Sequence, residues 1–340
     1  MTGPALPMFA DVDTGVDDAL ALVYLLASPE ARLVGIASTG GNVGVDQVCR
    51  NNLGLLTVCA TTGIPVSRGS DRPLAAPMRT AEDTHGPAGL GYAELPVPRG
   101  EITHYDAAEA WVRAARAHPG ELVALACGPL TNLALALRAE PGLPALLGRL
   151  VIMGGSFDYR GNTTPVAEWN TSVDPEAAAE VYAAWSRAEQ AGSIGPEQLP
   201  IVCGLNVTEN AVLTPQILAR LAAAAGSPDN PLVRVLADAL RFYFEFHRDQ
   251  GEGYLAHVHD PLAAAVALDP GLIRTRAAAV DVELTGTLTR GMTIADWSRR
   301  WNRAPNARVG VGVDAAEFFE RFIARIGEFA RRLDAQQHHS

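Results

Sequence analysis

Lysine is missing from the chain: all 27 basic residues are arginine, against 38 acidic residues. Its absence excludes mechanisms that rely on a lysine amine. The net charge of -11 repels phosphate backbones and anionic lipid, and no local basic patch offsets it. Nucleic acid and membrane surfaces are therefore excluded as partners. No stretch approaches the roughly 20 apolar residues of a membrane span. The opening "MTGPALPMFAD" also lacks the basic and long apolar regions of a secretion signal. There are only four cysteines, Cys49, Cys59, Cys127 and Cys203, far apart and without metal-type spacing. Buried free thiols in a reducing, cytoplasmic compartment are the expectation.

What the chain does have is apolar mass. With 340 residues, 48% of them hydrophobic and 19% charged, it can bury a large core. Short β-type runs alternate with helical patterns: "LPMFA" then "DDALALVYLLA", "RLVGIAST" then "VDQVCRNNLGLLTVCA", "ELVALAC" then "LTNLALALRA", "RLVIMGG" then "PEAAAEVYAAWSRA", "LPIVCGL" then "TPQILARLAAAA". This alternation predicts an α/β fold, a mainly parallel (mixed), doubly wound Rossmann-like sheet with helices on both faces. Ligands of such sheets collect at the carboxyl ends of the strands. No repeat or low-complexity linker divides residues 1–340, so one domain is expected. The Pro- and Gly-rich stretch at about 70 to 105 is too long for an ordinary connection and is a candidate active-site loop. A second long loop is expected from 154 to 174, and a further loop at about 225 to 258 is expected to close with 70 to 105 and set the preferred base. An amphipathic helix, "VDAAEFFERFIARIGEFARRL", closes the chain.

One stretch stands out. "DVDTGVDD" puts Asp11, Asp13, Asp17 and Asp18 into eight positions between a strand pattern and a helix pattern. Helix capping explains one or two of them. Four acids with no adjacent arginine repel one another unless a cation neutralises them, and hard oxygen donors suit Ca²⁺ or Mg²⁺. An EF-hand fails, because Leu22 or Tyr24 stands where its twelfth-position Glu is required. A haloacid-dehalogenase-type, Mg²⁺-dependent phosphatase shares the Asp-x-Asp start, but it asks for a later lysine that the chain lacks.

The closer match is to the nucleoside hydrolases, whose Asp-x-Asp-x-Gly-x-Asp-Asp signature "DVDTGVDD" resembles. Further segments follow in that family's order: "GGNV" (40–43), "THG" (84–86), "ACGPLTNLA" (126–134), "MGGSF" (153–157), "GNTTPVAEWN" (161–170), "DPEAA" (174–178), "HVHDP" (257–261) and "PNARVGVGVD" (305–314). Thr14 departs from the family's usual Pro, and "GLNVT" (204–208) from "GLDVT". The resemblance implies Ca²⁺-dependent hydrolysis of the N-glycosidic bond of ribonucleosides, in nucleoside salvage, by a homodimer or homotetramer with one Ca²⁺ per subunit.

The same resemblance assigns residues. Asp13, Asp18, Asp260 and the backbone carbonyl of Cys127 would hold the ion, with Asp13 also the general base. Asp17, Asn42, Asn162, Glu168 and Asn170 match ribose-binding positions, since recognition of a hydroxyl needs oriented polar partners. Met153, His85 and Trp169 are placed at the substrate. His259, next to Asp260, is either an imidazolium proton donor to the leaving base or a base contact. His257, Tyr243 and His247 are weaker candidates. "HVHD" points to the His-containing branch, which includes pyrimidine-preferring and broad-specificity members. A metal- and ribose-binding module without turnover is the alternative of a different class.

Overall fold

The computed structural model describes residues 5–337; the ends of the chain, 1–4 and 338–340, lie outside the described residues, and with them the first part of the "MTGPALPMFAD" reading. The first third of the chain supplies β1 (Leu6–Val12), α1 (Val16–Ala27), β2 (Ala31–Ser38), α2 (Val45–Val58), β3 (Val66–Arg68), α3 (Glu82–His85) and α4 (Ala107–Ala117). Then come β4 (Leu122–Ala126), α5 (Thr131–Ala139), α6 (Leu143–Leu146), β5 (Leu147–Met153), α7 (Trp169–Val173), α8 (Pro175–Gln190), β6 (Ile201–Cys203) and α9 (Leu205–Thr208). The rest is β7 (Val212–Leu213), α10 (Pro215–Ala224), α11 (Pro231–Asp249), β8 (Ala256–His257), α12 (His259–Leu268), β9 (Ile273–Val282), β10 (Thr293–Asp296), β11 (Ala307–Val313) and α13 (Ala315–Gln337).

Nine strands form one sheet in the order β10-β9-β11-β6-β5-β4-β1-β2-β3. From β3 to β11 neighbours run parallel; β9 and β10 add antiparallel pairs at the far edge, so the sheet is mixed as expected. The chain winds outward from β1 to β2 and β3, then returns to the other side of β1 for β4, β5 and β6. The strand order thus reverses between β1 and β4, which makes their carboxyl ends the topological switch point where such sheets bind ligands.

Strand alternation explains how β1 organises both faces. Met8, Ala10 and Val12 enter the core shared with α1, α11, α12 and α13. Phe9 faces the opposite core, its ring centroid 4.9 Å from that of Trp111 on α4. All but one residue of α1 is buried, so the helix lies inside the protein and not on its surface. Its neighbour α12, "HDPLAAAVAL", is rich in alanine, which allows the two axes to approach closely.

Two regions differ from the sequence reading. The stretch at 225–258, expected as loop, is built largely from the 19-residue helix α11, whose start is capped by Asn230 accepting from Leu232 and Val233 N–H. The antiparallel edge β9–β10 and its pairing to β11 were not foreseen as strands. By contrast, 70–105 has no regular structure beyond the single turn α3 and an isolated bridge of Ile102 to Val66, in keeping with a long loop. Among the described residues no helix is long and apolar enough to cross a membrane, and all four cysteines are free and buried.

Candidate active site

The four clustered acids divide into two groups. Asp11, still on β1, turns away from the switch point and binds Trp111 Nε1 (2.7 Å), Asn132 Nδ2 (3.0 Å) and the Thr39 hydroxyl. It ties β1 to α4, α5 and the end of β2, and burial raises its pKa against these three hydrogen bonds. Asp11 is a structural carboxylate.

Asp13, Asp17 and Asp18 gather beyond the end of β1. Asp17 and Asp18 lie in the first turn of α1, and Asp260 lies in the first turn of α12. Two helix N-termini, each with its positive dipole end, therefore converge on one spot. One carboxylate oxygen from each of Asp17, Asp18 and Asp260 lies within 4.8 Å of the others. Asp13 stands beside this trio: its Oδ2 accepts from the Asn42 N–H at 2.8 Å, while its Oδ1 is buried with no partner. Asp18 accepts from Gly15 N–H (2.9 Å) and from Asn42 Nδ2 (3.2 Å), so capping does account for part of its position.

Close approach explains two glycines here. A Cβ on Gly41 would sit 2.0 Å from Asp13 Oδ2, and one on Gly15 would sit 2.6 Å from His85 Nδ1. Only glycine lets these backbones pass. Thr14, where the family usually has Pro, is buried and donates to Asn52.

No ion pair among the described residues involves Asp13, Asp17, Asp18 or Asp260. Burial, reinforced by the mutual repulsion of the carboxylates, holds Asp13 and Asp260 well above the usual range and pushes Asp17 up to about 7. Burial likewise raises Asp18. A cation in their midst would favour the ionised carboxylates against this burial and repulsion. An orphaned buried oxygen, an all-oxygen donor set and the missing counter-ion together fit a hard divalent cation.

Asp17 and Asp260 lie at the floor of a cavity of about 500 Å³, whereas Asp13 and Asp18 are not among the residues that line it. Asp17, Asn42, His85, Cys127, Met153, Asn162, Glu168, Trp169, Asn170, His259 and Asp260 all line it. Across the floor, Asn170 Nδ2 donates to the Cys127 carbonyl (2.6 Å) and to Met153 O (3.2 Å), fixing the ends of β4 and β5. The Cys127 thiol is pushed far above its ordinary pKa by burial and the nearby acids, so it is no thiolate ligand. Glu168 is 1% exposed and caps α7, accepting from Asn170, Thr171 and Gly155 N–H. Asn162 is exposed and does show turn chemistry, accepting from Trp169 N–H at 2.9 Å. The Trp169 indole N–H is buried without a partner.

Histidines line the same cavity. His85 Nδ1 accepts from Val16 N–H at 3.1 Å, so its proton sits on Nε2; burial pushes its pKa down to about 3. His259 Nδ1 lies 2.8 Å from the Thr208 hydroxyl. Burial first, then His257, His247 and His85, depress its pKa well below the ordinary value. Tyr243, His247 and His257 also line the cavity, together with Arg160, Glu209 and Glu252, which the sequence reading missed. These last three had no local signal: each is a single polar residue brought in by a turn or a helix end.

The comparisons with known proteins agree with this geometry. The sequence profile of the inosine-uridine preferring nucleoside hydrolases matches residues 8–320. A pyrimidine-specific ribonucleoside hydrolase RihA from Enterobacter sp. (strain 638) is 38% identical over 330 residues, 96% of this chain and 100% of its own. The RihA of Salmonella newport (strain SL254) is 37% identical over 327 residues, again 96% and 100%. In structure, the purine-preferring ribonucleoside hydrolase from Gardnerella vaginalis superposes with a TM-score of 0.86 at 30% identity, covering 96% of this chain and 99% of that one. The plant nucleoside hydrolase PpNRh1 gives 0.86 at 29%, covering 95% and 99%. The chain thus belongs to the inosine-uridine preferring nucleoside hydrolases, a metal-dependent family, and is an enzyme that hydrolyses the N-glycosidic bond of ribonucleosides.

Proposed function

We propose that the enzyme uses one Ca²⁺ per subunit and prefers pyrimidine ribonucleosides. The observation that carries the metal assignment is the buried, unpartnered Asp13 Oδ1 beside three further buried acids without a counter-ion. Asp13, Asp18, Asp260 and the Cys127 carbonyl hold the ion, and Asp17, whose oxygen belongs to the same cluster, shares its charge with the ribose hydroxyls. A bound Ca²⁺ supplies the charge that keeps these carboxylates ionised, orients the ribose diol and raises the acidity of a water beside it.

The chain's own residues do the rest. Asp13 accepts a proton from the attacking water as its oxygen bonds to the anomeric carbon. The bond to the base breaks, and its electron pair leaves on the ring nitrogen. Asp17, Asn42, Asn162, Glu168 and Asn170 bind the sugar, and Asn170 also keeps the Cys127 carbonyl in place. His85, Met153 and Trp169 enclose the substrate, and His259 delivers a proton to, or contacts, the departing base. The pyrimidine preference draws support from the histidine-rich base wall and from RihA relatives that are described as pyrimidine-specific. We further infer a homodimer or homotetramer in the cytoplasm, which sedimentation of the purified protein and fractionation of its source cells will check.

Initial rates on cytidine, uridine, inosine, adenosine and their 2'-deoxy forms test the whole reading, with Ca²⁺ and with a chelator. Cytidine and uridine should lead, and the deoxy forms should fail. Faster turnover of inosine than of either pyrimidine would overturn the preference, and full activity in chelator would overturn the metal.

A further inference from the structure

We propose that His247, Glu252 and His257 form a second metal site in the same cavity, suited to a transition ion of the Zn²⁺ class. His247 lies in the last turn of α11, and its Nδ1 is 2.9 Å from Tyr243 O. His257 lies on β8, and its Nδ1 is 2.9 Å from Glu209 O. A carbonyl oxygen only accepts, so each Nδ1 carries a proton and Nε2 is the ring nitrogen left for a further partner. The two Nε2 atoms stand 3.9 Å (His247) and 3.4 Å (His257) from one and the same atom, Glu252 Oε2.

Two imidazole nitrogens turned to one carboxylate oxygen make a three-donor set that a single cation can bridge. One donor atom from each of the three residues lies within 4.8 Å of the others. Metal–ligand bonds of about 2.0–2.2 Å put tetrahedral donors roughly 3.3 Å apart, so closure of the order of 1 Å is needed. Glu252 can supply it, because it sits on the exposed turn between α11 and β8. The other carboxylate oxygen is already oriented by Arg160, 3.5 Å away.

The chemistry separates this site from the floor of the cavity. Backbone carbonyls orient both imidazoles and fix their tautomers, which is the usual support for histidine ligands. Imidazole nitrogen selects Zn²⁺, Ni²⁺ or Co²⁺ over the hard cations that the all-oxygen cluster takes. Three protein ligands leave a fourth position open.

The test is calorimetric titration of Zn²⁺ into the full-length enzyme held in excess Ca²⁺, with Co²⁺ absorption in the visible as a signature of nitrogen ligation. One equivalent of Zn²⁺ should bind, and Glu252→Gln and His257→Ala should each weaken it by roughly tenfold or more. Asp260→Asn, which disables the carboxylate cluster, should leave that equivalent in place. Three results overturn the proposal: no Zn²⁺ uptake in excess Ca²⁺, uptake unchanged in both Glu252→Gln and His257→Ala, or uptake lost in Asp260→Asn. Thermal melts of each variant show whether it is folded when titrated.

Discussion

The backbone N–H of Asn42 donates to Asp13 Oδ2 at 2.8 Å, which leaves Oδ1 as the one oxygen of that carboxylate free for chemistry. Asn42 comes from "GGNV", directly after Gly41, where any side chain would collide with Asp13. The loop after β2 therefore orients the carboxylate at the end of β1. Asp13→Asn keeps the shape and an oxygen but removes basicity. Its kcat should fall by about a hundredfold or more even at saturating Ca²⁺, as for loss of a general base. Initial rates measured across a Ca²⁺ series check this, and a near-native kcat at saturation would reduce Asp13 to a ligand.

Metal removal should both abolish turnover and make stability pH-dependent. Asp17, raised to about 7, and Asp13 and Asp260, raised well above the usual range, bind protons in the folded state that the unfolded chain releases near pH 4. Without metal the folded state loses stability as pH rises between the unfolded and folded pKa values. A cation that replaces those protons reverses the loss. The gain in melting temperature on adding Ca²⁺ should therefore be small near pH 4 and grow towards pH 7 and above. A gain that is flat, or that shrinks as pH rises, would refute this account.

Asp11 should behave unlike its neighbours. Replacement by Ala leaves the Trp111 indole N–H and the Thr39 hydroxyl proton without their acceptor in the core, and takes one of three acceptors from the Asn132 amide. Roughly 3 kcal/mol of stability should be lost, since each unsatisfied buried polar group costs about 1–3 kcal/mol. Urea unfolding measures this, and Ca²⁺ affinity should change less than in Asp18→Ala. An unchanged unfolding midpoint together with lost Ca²⁺ affinity would make Asp11 a ligand after all.

The contrast between Asp11 and Asp13 shows how far sequence could go. The crowding of acids at the end of an apolar strand was legible, because only a parallel strand with a helix behind it reads "LPMFA" then "DDALALVYLLA". Which acid faced the cavity was not, since that depends on Trp111 lying a hundred residues away on α4. The gathering of Asp17 with Asp18 and Asp260 likewise depends on how α1 and α12 pack, a distance no local pattern encodes. The burial of Glu168 was not legible either, since it depends on contacts such as that with the Gly155 N–H, thirteen residues away. The helix α11 was hidden behind the Gly, Ser and Pro residues that precede it, although Tyr243 and His247 already sit four apart, on one helical face.

The Thr208 hydroxyl and His259 set up the final test. Thr208 closes "GLNVT", and its hydroxyl, 2.8 Å from His259 Nδ1, can donate there and leave the proton of a neutral ring on Nε2. A p-nitrophenyl riboside departs as a stable anion and needs no protonation, whereas a natural nucleoside does. If His259 is the proton donor, His259→Ala should slow uridine and cytidine strongly and leave the p-nitrophenyl riboside almost untouched. Thr208→Val should follow the same pattern more weakly, because it removes the group that sets the tautomer without removing the ring. Equal slowing of both substrates would instead make His259 a support for the sugar or for Asp260. His85 could then take the donor role only through Nε2, because its Nδ1 is already engaged by Val16.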